Sequence, residues 1–259
     1  MKKSSLRLAA ALSLMAVSLS AVAQIDFQTS KAKGYYIGKN DAGVITVALS
    51  ANADFVMPEG TDAGLKNLDA ILEGYAGLRI EDGKLIVADE YLRGVKSETV
   101  SAEEFKKALA SKPESAYNLD AKITKAAETD KYLTMRVYTN TKSLNPDLKD
   151  YSHVDYINYN KATGEVIDYF DIFNASAERQ LRQMMYPIIA KKLPLTIKSP
   201  DEMEIVQNFA LSPKGVTFCF PESEIAAGNL GCPEIFLTWQ QLRSHNTLAE
   251  GAEELVGLK

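Results

Sequence analysis

The chain has few of the side chains on which most enzyme and metal sites depend. It contains two histidines, His153 and His245, and two cysteines, Cys219 and Cys232. A zinc site needs four such ligands or further carboxylates, so we predict no metal site. The sequence also has no glycine-rich phosphate loop, metal-binding helix motif or serine elbow. We therefore predict no cofactor.

Long hydrophobic runs are absent after residue 22, and the one before it is short. Leu8–Val22 is apolar apart from scattered serines, follows Lys2 and Lys3, and leads into small residues up to Ala23. This three-part pattern is typical of a secretory signal. The run has 15 residues, fewer than the roughly 20 that a membrane span needs, although an uncleaved anchor is the alternative. We predict cleavage between Ala23 and Gln24 and a periplasmic or secreted mature chain without a transmembrane segment.

An excess of positive charge is also absent. The formal net charge is −5 at pH 7 and the isoelectric point is about 5.3. This gives no electrostatic reason to expect DNA, RNA or an anionic membrane surface as a partner, and we predict no nucleic-acid partner. A mildly acidic surface steers cationic partners more readily, although it is also a common means of staying soluble.

The two cysteines predict a disulfide if the chain is exported. In an oxidising compartment an even number of cysteines favours pairing, here between Cys219 and Cys232. The bridge would close a loop of about 14 residues and contribute roughly 3 kcal/mol if its effect is entropic. Two buried free thiols, or a metal site, are the alternatives.

The composition is that of an ordinary folded protein, with 46% hydrophobic and 24% charged residues. Lys112-Pro113-Glu114-Ser115 is the best candidate linker, because proline, charge and serine cluster between two patterned regions. It divides an N-terminal α+β lobe, residues 24–112, from a second α+β domain, residues 113–259. The first part predicts a hairpin within residues 24–58, a helix over 62–75, a hairpin over 79–87 and a capped helix over 102–110.

After this boundary the pattern changes to longer strands, and the tail from Leu248 is expected to fray at the end of the chain. The whole pattern predicts an α+β fold of mixed and antiparallel sheets with hairpins and a few packed helices. The predicted elements are strands over 117–127 and 132–139, a hairpin over 154–167, a helix over 177–192 that contains Pro187, and strands over 205–211, 215–220 and 233–237.

Two stretches of the second half carry short motifs. The first joins Tyr159-Asn160 and Thr163-Gly164 to Asp171-Ile172-Phe173. The second is Pro213–Phe218 followed by Pro221, Ile225, Ala226, Gly228, Ile235 and Leu242. In this order they resemble the extracellular domain of the RsiV-like family, over about residues 117–245.

The resemblance implies a mixed α+β fold that is exposed to the cell envelope. The family occurs in a lysozyme-sensing anti-sigma factor and in the non-catalytic part of a peptidoglycan deacetylase, so it implies a lysozyme-like protein or peptidoglycan as partner. Where the family has a Gly-Gly-Ala-His turn, this chain has Asp150-Tyr151-Ser152-His153, and only the histidine carries over. The cytosolic segment, transmembrane helix and deacetylase domain of those proteins have no counterpart in the sequence, so neither activity is expected.

His153 is the candidate for catalysis. Asp150 and Asp155 are near it in sequence and Ser152 is adjacent, so it could serve as a general base. Catalytic groups are recognised by geometry rather than by sequence proximity, and a histidine beside a strand is more often a turn or core residue. A small cell-wall hydrolase or deacetylase-type enzyme that uses His153 with a carboxylate is therefore the second hypothesis.

The segment between the cysteines contains the candidate binding residues Glu222, Glu224 and Asn229. A disulfide would hold this segment rigid, and rigid loops suit recognition. The first hypothesis is a non-enzymatic envelope protein whose second domain binds a lysozyme-like protein or a cell-wall ligand through this segment and the acidic surface.

Overall fold

Two sheets form the framework of the molecule. The computed structural model describes residues 24–92, 94–145 and 149–258, so the predicted signal peptide, residues 1–23, lies outside the described residues. The strands are β1 (Asp26–Lys39), β2 (Ile45–Glu59), β3 (Leu78–Glu81), β4 (Lys84–Val87), β5 (Lys96–Thr99), β6 (Ser115–Glu128), β7 (Tyr132–Ser143), β8 (Tyr151–Asn160), β9 (Glu165–Ile167), β10 (Phe209–Ser212), β11 (Gly215–Cys219) and β12 (Glu234–Thr238).

Seven of these strands form a large sheet in the order β5-β1-β2-β6-β7-β8-β9, and β10-β11-β12 form a small sheet. β3 and β4 pair as a separate hairpin. The predicted α+β class is confirmed. None of the described helices is long and apolar enough to cross a membrane. The helices are α1 (Ala63–Ala76), α2 (Ala102–Ala110), α3 (Tyr169–Ile172), α4 (Ala177–Ala190), α5 (Trp239–Ser244) and α6 (Ala252–Leu255).

α1 forms because leucines recur at helical spacing and both of its ends are capped. Leu65, Leu68 and Leu72 are buried on one face of the helix. At the start of the helix, the Asp62 carboxylate accepts a hydrogen bond from the Leu65 backbone N–H at 2.9 Å. At its end, Gly77 adopts a left-handed conformation with φ of 62°. The apolar face of α1 packs on the large sheet.

The two faces of the large sheet have different coverings. Side chains alternate between the faces along each strand. On the opposite face from α1, α2 packs on β1 and β2 at one end, and β10 packs on β6, β7 and β8 at the other. The face that α1 covers carries the first core, whose members include Leu49, Phe55, Leu119, Ile123, Met135, Val137 and Ile157.

The predicted boundary at residue 112 lies between α2 and β6, within the span of this sheet. Residues 47–55 of β2 pair in parallel with residues 115–123 of β6, and the first core takes side chains from both sides of the boundary. The parts before and after residue 112 therefore share a sheet and a core. Independent folding of the two parts stays a prediction.

The C-terminal part forms a second core between the small sheet and the helices that follow β9. Phe209, Phe218 and Leu237 of the small sheet meet Leu181 and Met185 of α4 in this core. α4 contains the predicted Pro187 and ends at Ala190. The tail from Leu248 differs from the expected fraying, because Leu248 pairs with Phe173 and Val256 is buried in the second core.

A buried ion pair fixes the turn between β8 and β9. The Lys161 ammonium donates hydrogen bonds to the Glu128 carboxylate at 2.8 Å and to the Thr129 carbonyl at 3.0 Å, and its side chain is 3% exposed. Burial alone would raise the pKa of Glu128. The hydrogen bonds from Lys161 and Lys125 outweigh that effect and hold the pKa of Glu128 below its usual range.

The close approach of α1 to this turn gives a test of the packing. A Cβ at Gly64 would lie 2.6 Å from the Tyr159 hydroxyl and 2.9 Å from the Gly164 backbone, whereas a Cβ at Gly74 meets nothing within 4 Å. We predict that Gly64→Ala lowers the free energy of unfolding by about 1–3 kcal/mol because of overpacking. Gly74→Ala in the same helix should raise it by about 0.5–1 kcal/mol. Urea unfolding of both variants measures the difference, and equal effects would contradict the packing described.

Candidate functional site

The outer edge of β8 is the structural centre of the candidate site. β7 pairs with β8 along its length, but β9 covers only residues 158–160 of the other edge. Asn208 binds the next part of that edge, since its side-chain oxygen accepts from the Tyr156 N–H at 2.9 Å and its amide nitrogen donates to the Val154 carbonyl. A polar side chain thus takes the place that a further strand would occupy.

Glu222 and Cys232 continue this edge toward the start of β8. The Glu222 carboxylate accepts hydrogen bonds from the Ser152 N–H at 2.9 Å and from the Ser152 hydroxyl at 3.1 Å. The Cys232 thiol donates to the Ser152 carbonyl at 3.5 Å. The segment that connects β11 to β12 is therefore attached to the large sheet through Ser152.

We call residues 220–233 the connecting loop. The Phe220 N–H donates to the Pro233 carbonyl at 2.9 Å, which closes the loop at its base. In its middle, Ala226 pairs with Leu195, and Ser223 adopts a left-handed backbone conformation with φ of 71°. That conformation is unfavourable for serine, and such residues cluster at functional sites. The loop is held at its base, in its middle and at β8.

His153 lies within β8 rather than in the predicted turn before the strand. Its Nε2 is 3.0 Å from an Asp155 carboxylate oxygen, and its Nδ1 is 3.4 Å from the Tyr151 hydroxyl. The Tyr151 and His153 rings are nearly parallel, with centroids 6.2 Å apart. The hydrogen bond to Asp155 raises the pKa of His153, and this outweighs burial, which lowers it. The carboxylate therefore favours the protonated imidazole.

The predicted disulfide is absent from the structure, in which Cys219 and Cys232 are free thiols. The two thiols are close enough for each to shift the pKa of the other. The hydrogen bond from Cys219, and to a lesser extent the nearby His153, lowers the pKa of Cys232. The same contact and burial raise the pKa of Cys219. The loop is thus attached to β8 by hydrogen bonds rather than closed by a covalent bond.

The structure brings together some of the predicted residues and not others. His153, Glu222, Cys219 and Cys232 converge at the start of β8. Glu224 is in the same loop, but its carboxyl group has other surroundings. Burial and the nearby Glu204 raise the pKa of this carboxyl group. The remaining predicted residues lie elsewhere: Asp150 accepts from the Ser143 N–H, His245 ends α5, and Asn229 lies in the turn Gly228–Leu230 with its side chain outside the described part.

Sequence reasoning missed Asn208 and Tyr151, and it named Ser152 only as a neighbour of His153. Tyr151, His153 and Asp155 are spaced by two residues, so a strand that began at Tyr151 would have placed their side chains on one face. Asn208 gives no comparable signal, because its role depends on a contact 54 residues away along the chain. Within the described residues, no group of three or more His, Cys, Asp or Glu side chains could hold a metal ion.

The attachment of the loop to β8 predicts unequal roles for its two glutamates. We expect Glu222→Ala to lower the free energy of unfolding by about 1–2 kcal/mol, because it leaves the Ser152 N–H and hydroxyl without their acceptor. Glu224→Ala in the same loop should change it by less than about 0.5 kcal/mol. Chemical denaturation of the two variants tests this, and a larger loss for Glu224→Ala would refute the proposed attachment.

The His153–Asp155 pair predicts a pH dependence. Because the folded-state pKa of His153 is raised, its contribution to stability is fully present below about pH 6.5 and is lost as pH rises through the folded pKa. Asp155→Asn should lower the pKa of His153, since both contributions of the carboxylate are lost and burial, which lowers the pKa, is then opposed only by the smaller effect of Cys232. NMR titration of the imidazole, assigned with a His245→Gln variant, measures the shift. An unchanged pKa in Asp155→Asn would show that the hydrogen bond is not its cause.

Comparisons with known proteins indicate a domain family and a fold. Residues 162–240 match the sequence model of a protein family that is described as a protein of unknown function (DUF3298). The RsiV-like resemblance concerns the same domain family. The structure is similar to that of a DUF3298 family member from Bacteroides fragilis, with a TM-score of 0.60, 13% identity and coverage of 92% of this chain and 100% of the other.

A DUF3298 family protein from Pseudomonas aeruginosa is also similar, with a TM-score of 0.56, 13% identity and coverage of 90% of this chain and 98% of the other. No curated protein matches the sequence. At this identity the two structures share the fold with this chain, and a shared fold does not establish a shared function.

Proposed function

We propose that the protein is a non-enzymatic binding protein of the cell envelope and that its ligand is a cationic protein of the lysozyme type. The contact region consists of Tyr151, Asp155 and Glu222 together with the connecting loop. The observation that carries the proposal is the rigid attachment of this loop to β8 beside an exposed aromatic ring. Rigid, exposed aromatic residues are common anchors of protein interfaces.

The composition of this region favours a cationic partner. Tyr151 is 51% exposed, and burial of the remainder and the nearby negative charges of Glu222 and Asp155 raise the pKa of its hydroxyl. The ring therefore stands in a negatively charged setting. The net charge of −5 adds long-range attraction for a positive partner.

Lysozyme binding by the mature chain, residues 24–259, tests this proposal. Isothermal titration at low salt should give binding that Tyr151→Ala weakens at least tenfold, or about 1.4 kcal/mol. Tyr75→Ala is the matched control, because Tyr75 is 50% exposed on α1, and it should bind as the unchanged protein does. If neither lysozyme nor insoluble peptidoglycan is retained, the binding proposal fails. Retention of peptidoglycan alone would replace the protein ligand by a cell-wall ligand.

Export and the disulfide belong to the same proposal. Export with removal of residues 1–23 would bring the thiols of Cys219 and Cys232 into an oxidising compartment. There, exchange with a disulfide donor would form the bond between the two sulfurs and reduce the donor to two thiols. The mutual effect of the two thiols on their pKa values indicates proximity, which favours such pairing. Mass spectrometry of the protein from its host should find Gln24 at the N-terminus and no thiol that alkylates without reductant. A chain that begins at Met1, or two alkylated cysteines, would refute these steps.

A hydrolase is the second candidate, and the His153–Asp155 hydrogen bond favours it. A carboxylate that orients an imidazole recurs in hydrolytic sites, and the low pKa of Cys232 adds a possible nucleophile nearby. The purified protein should then release soluble fragments or acetate from peptidoglycan, and His153→Ala should abolish the release. Activity that persists in His153→Ala, or no activity in either protein, would remove this candidate.

A further inference from the structure

The face of the large sheet opposite α1 carries positive charge in an otherwise acidic chain. The register of β1, β2, β6 and β7 places their side chains in rows across this face, such as Lys31 beside Asp54, Asp54 beside Lys122 and Lys122 beside Tyr138. We call this surface the basic face and define it by its five cations, Lys31, Lys33, Lys122, Arg136 and Lys142.

Few carboxylates balance these cations. Asp54 and Asp120 are the carboxylates of the rows, which leaves a net charge of +3 on these four strands at pH 7. Glu234 lies near one of the cations, because it and Arg136 both interact with the Tyr156 hydroxyl. Asp54 is paired with Lys31 at 3.1 Å. Among the described residues, no carboxylate lies within 4.0 Å of the ammonium groups of the exposed Lys33, Lys122 and Lys142. Positive charge gathered without counter-charges attracts anions.

Between the cations the basic face presents amide groups. Asn52, Asn118 and Asn140 are partly exposed, and Asn52 donates to Asp120 at 2.7 Å. Amides both donate and accept hydrogen bonds, as the hydroxyl groups of a sugar do. α2 packs on β1 and β2, and β10 packs on β6, β7 and β8, so these two elements flank the face, which is about 14 Å wide across its four strands.

We infer that the basic face binds an acidic polysaccharide chain. Lysine ammonium groups attract its carboxylates, and the asparagine amides match its hydroxyl groups. A single-stranded nucleic acid is the alternative ligand, and its bases would stack on aromatic rings of the face. Two of these rings are already covered by cations, since Lys33 lies 5.1 Å from the centre of the Tyr35 ring and Arg136 lies 5.5 Å from the centre of the Tyr138 ring. A single-stranded nucleic acid therefore lacks the free aromatic platforms it uses elsewhere.

The basic face is separate from Tyr151 and Asp155 of the proposed contact region. Tyr151 and Asp155 point to the same side of the large sheet as Ile157, which belongs to the core beneath α1. The basic face is on the other side. One chain can thus offer an anionic region to a cationic protein and the basic face to a polysaccharide.

The test uses the mature chain, residues 24–259, and polygalacturonate as the acidic polysaccharide. Affinity electrophoresis or titration should show binding that weakens as salt increases. The double variant Lys33→Glu/Lys122→Glu should weaken it at least tenfold. The matched control is Lys66→Glu/Lys84→Glu, which reverses two exposed lysines on α1 and β4, and it should bind nearly as the unchanged protein does. Circular dichroism of both double variants verifies that they fold.

Neutral dextran should not bind. No binding of polygalacturonate, or an equal loss in both double variants, would overturn the inference. Binding of polyglutamate or oligo(dT) with the affinity shown for polygalacturonate would also overturn it, because the face would then attract any polyanion. Tyr151→Ala should leave polysaccharide binding unchanged, so failure of the lysozyme experiment and failure of this one can be told apart.

Discussion

The outer edge of β8 between Ser152 and Tyr156 constrains the rest of the structure. An uncovered strand edge presents free N–H and C=O groups that can pair with another chain. Here Asn208, Glu222 and Cys232 satisfy those groups from a part of the chain that belongs to the small sheet. Their hydrogen bonds fix the small sheet against the large one, and they determine where the connecting loop and His153 stand.

The same hydrogen bonds engage most of the groups that resemble a catalytic cluster. The Glu222 carboxylate is engaged with Ser152, and the Cys232 thiol with the adjacent carbonyl. His153 is held between Asp155 and Tyr151 on a strand. What remains exposed is the Tyr151 ring with negative charge around it. The large sheet offers a second surface because α1 covers only one of its faces, while α2 and β10 cover the ends of the other.

Local features of the fold could be predicted from the sequence. The leucine spacing and Asp62 predict α1, and the Ser101–Glu104 capping box is present at the start of α2. The sequence pattern predicts the start of β8 at residue 154, three residues later than in the structure. The reason is that a clearer apolar alternation follows Tyr151, Ser152 and His153, while the residues before them favour a turn. A strand beginning at Tyr151 would have brought His153 and Asp155 together on one face.

Long-range features could not be predicted in this way. The parallel pairing of β2 with β6 crosses the proline-containing segment that the sequence marks as a linker. Local composition gives no information about a pairing that spans about 70 residues, and parallel strands need such crossovers. The role of Asn208 at β8 has the same origin. The basic face also escapes a sequence reading, because its lysines are dispersed over strands and the net charge of the chain has the opposite sign.

Amide hydrogen exchange tests the β8 edge most directly. In the folded protein, the backbone N–H groups of Ser152 and Tyr156 donate to Glu222 and Asn208. Their exchange, followed by NMR in deuterated solvent, should be slowed to a degree comparable with amides inside the β6–β7 pairing. Exchange at the rate of an open loop would contradict the attachment of the small sheet and the connecting loop to β8.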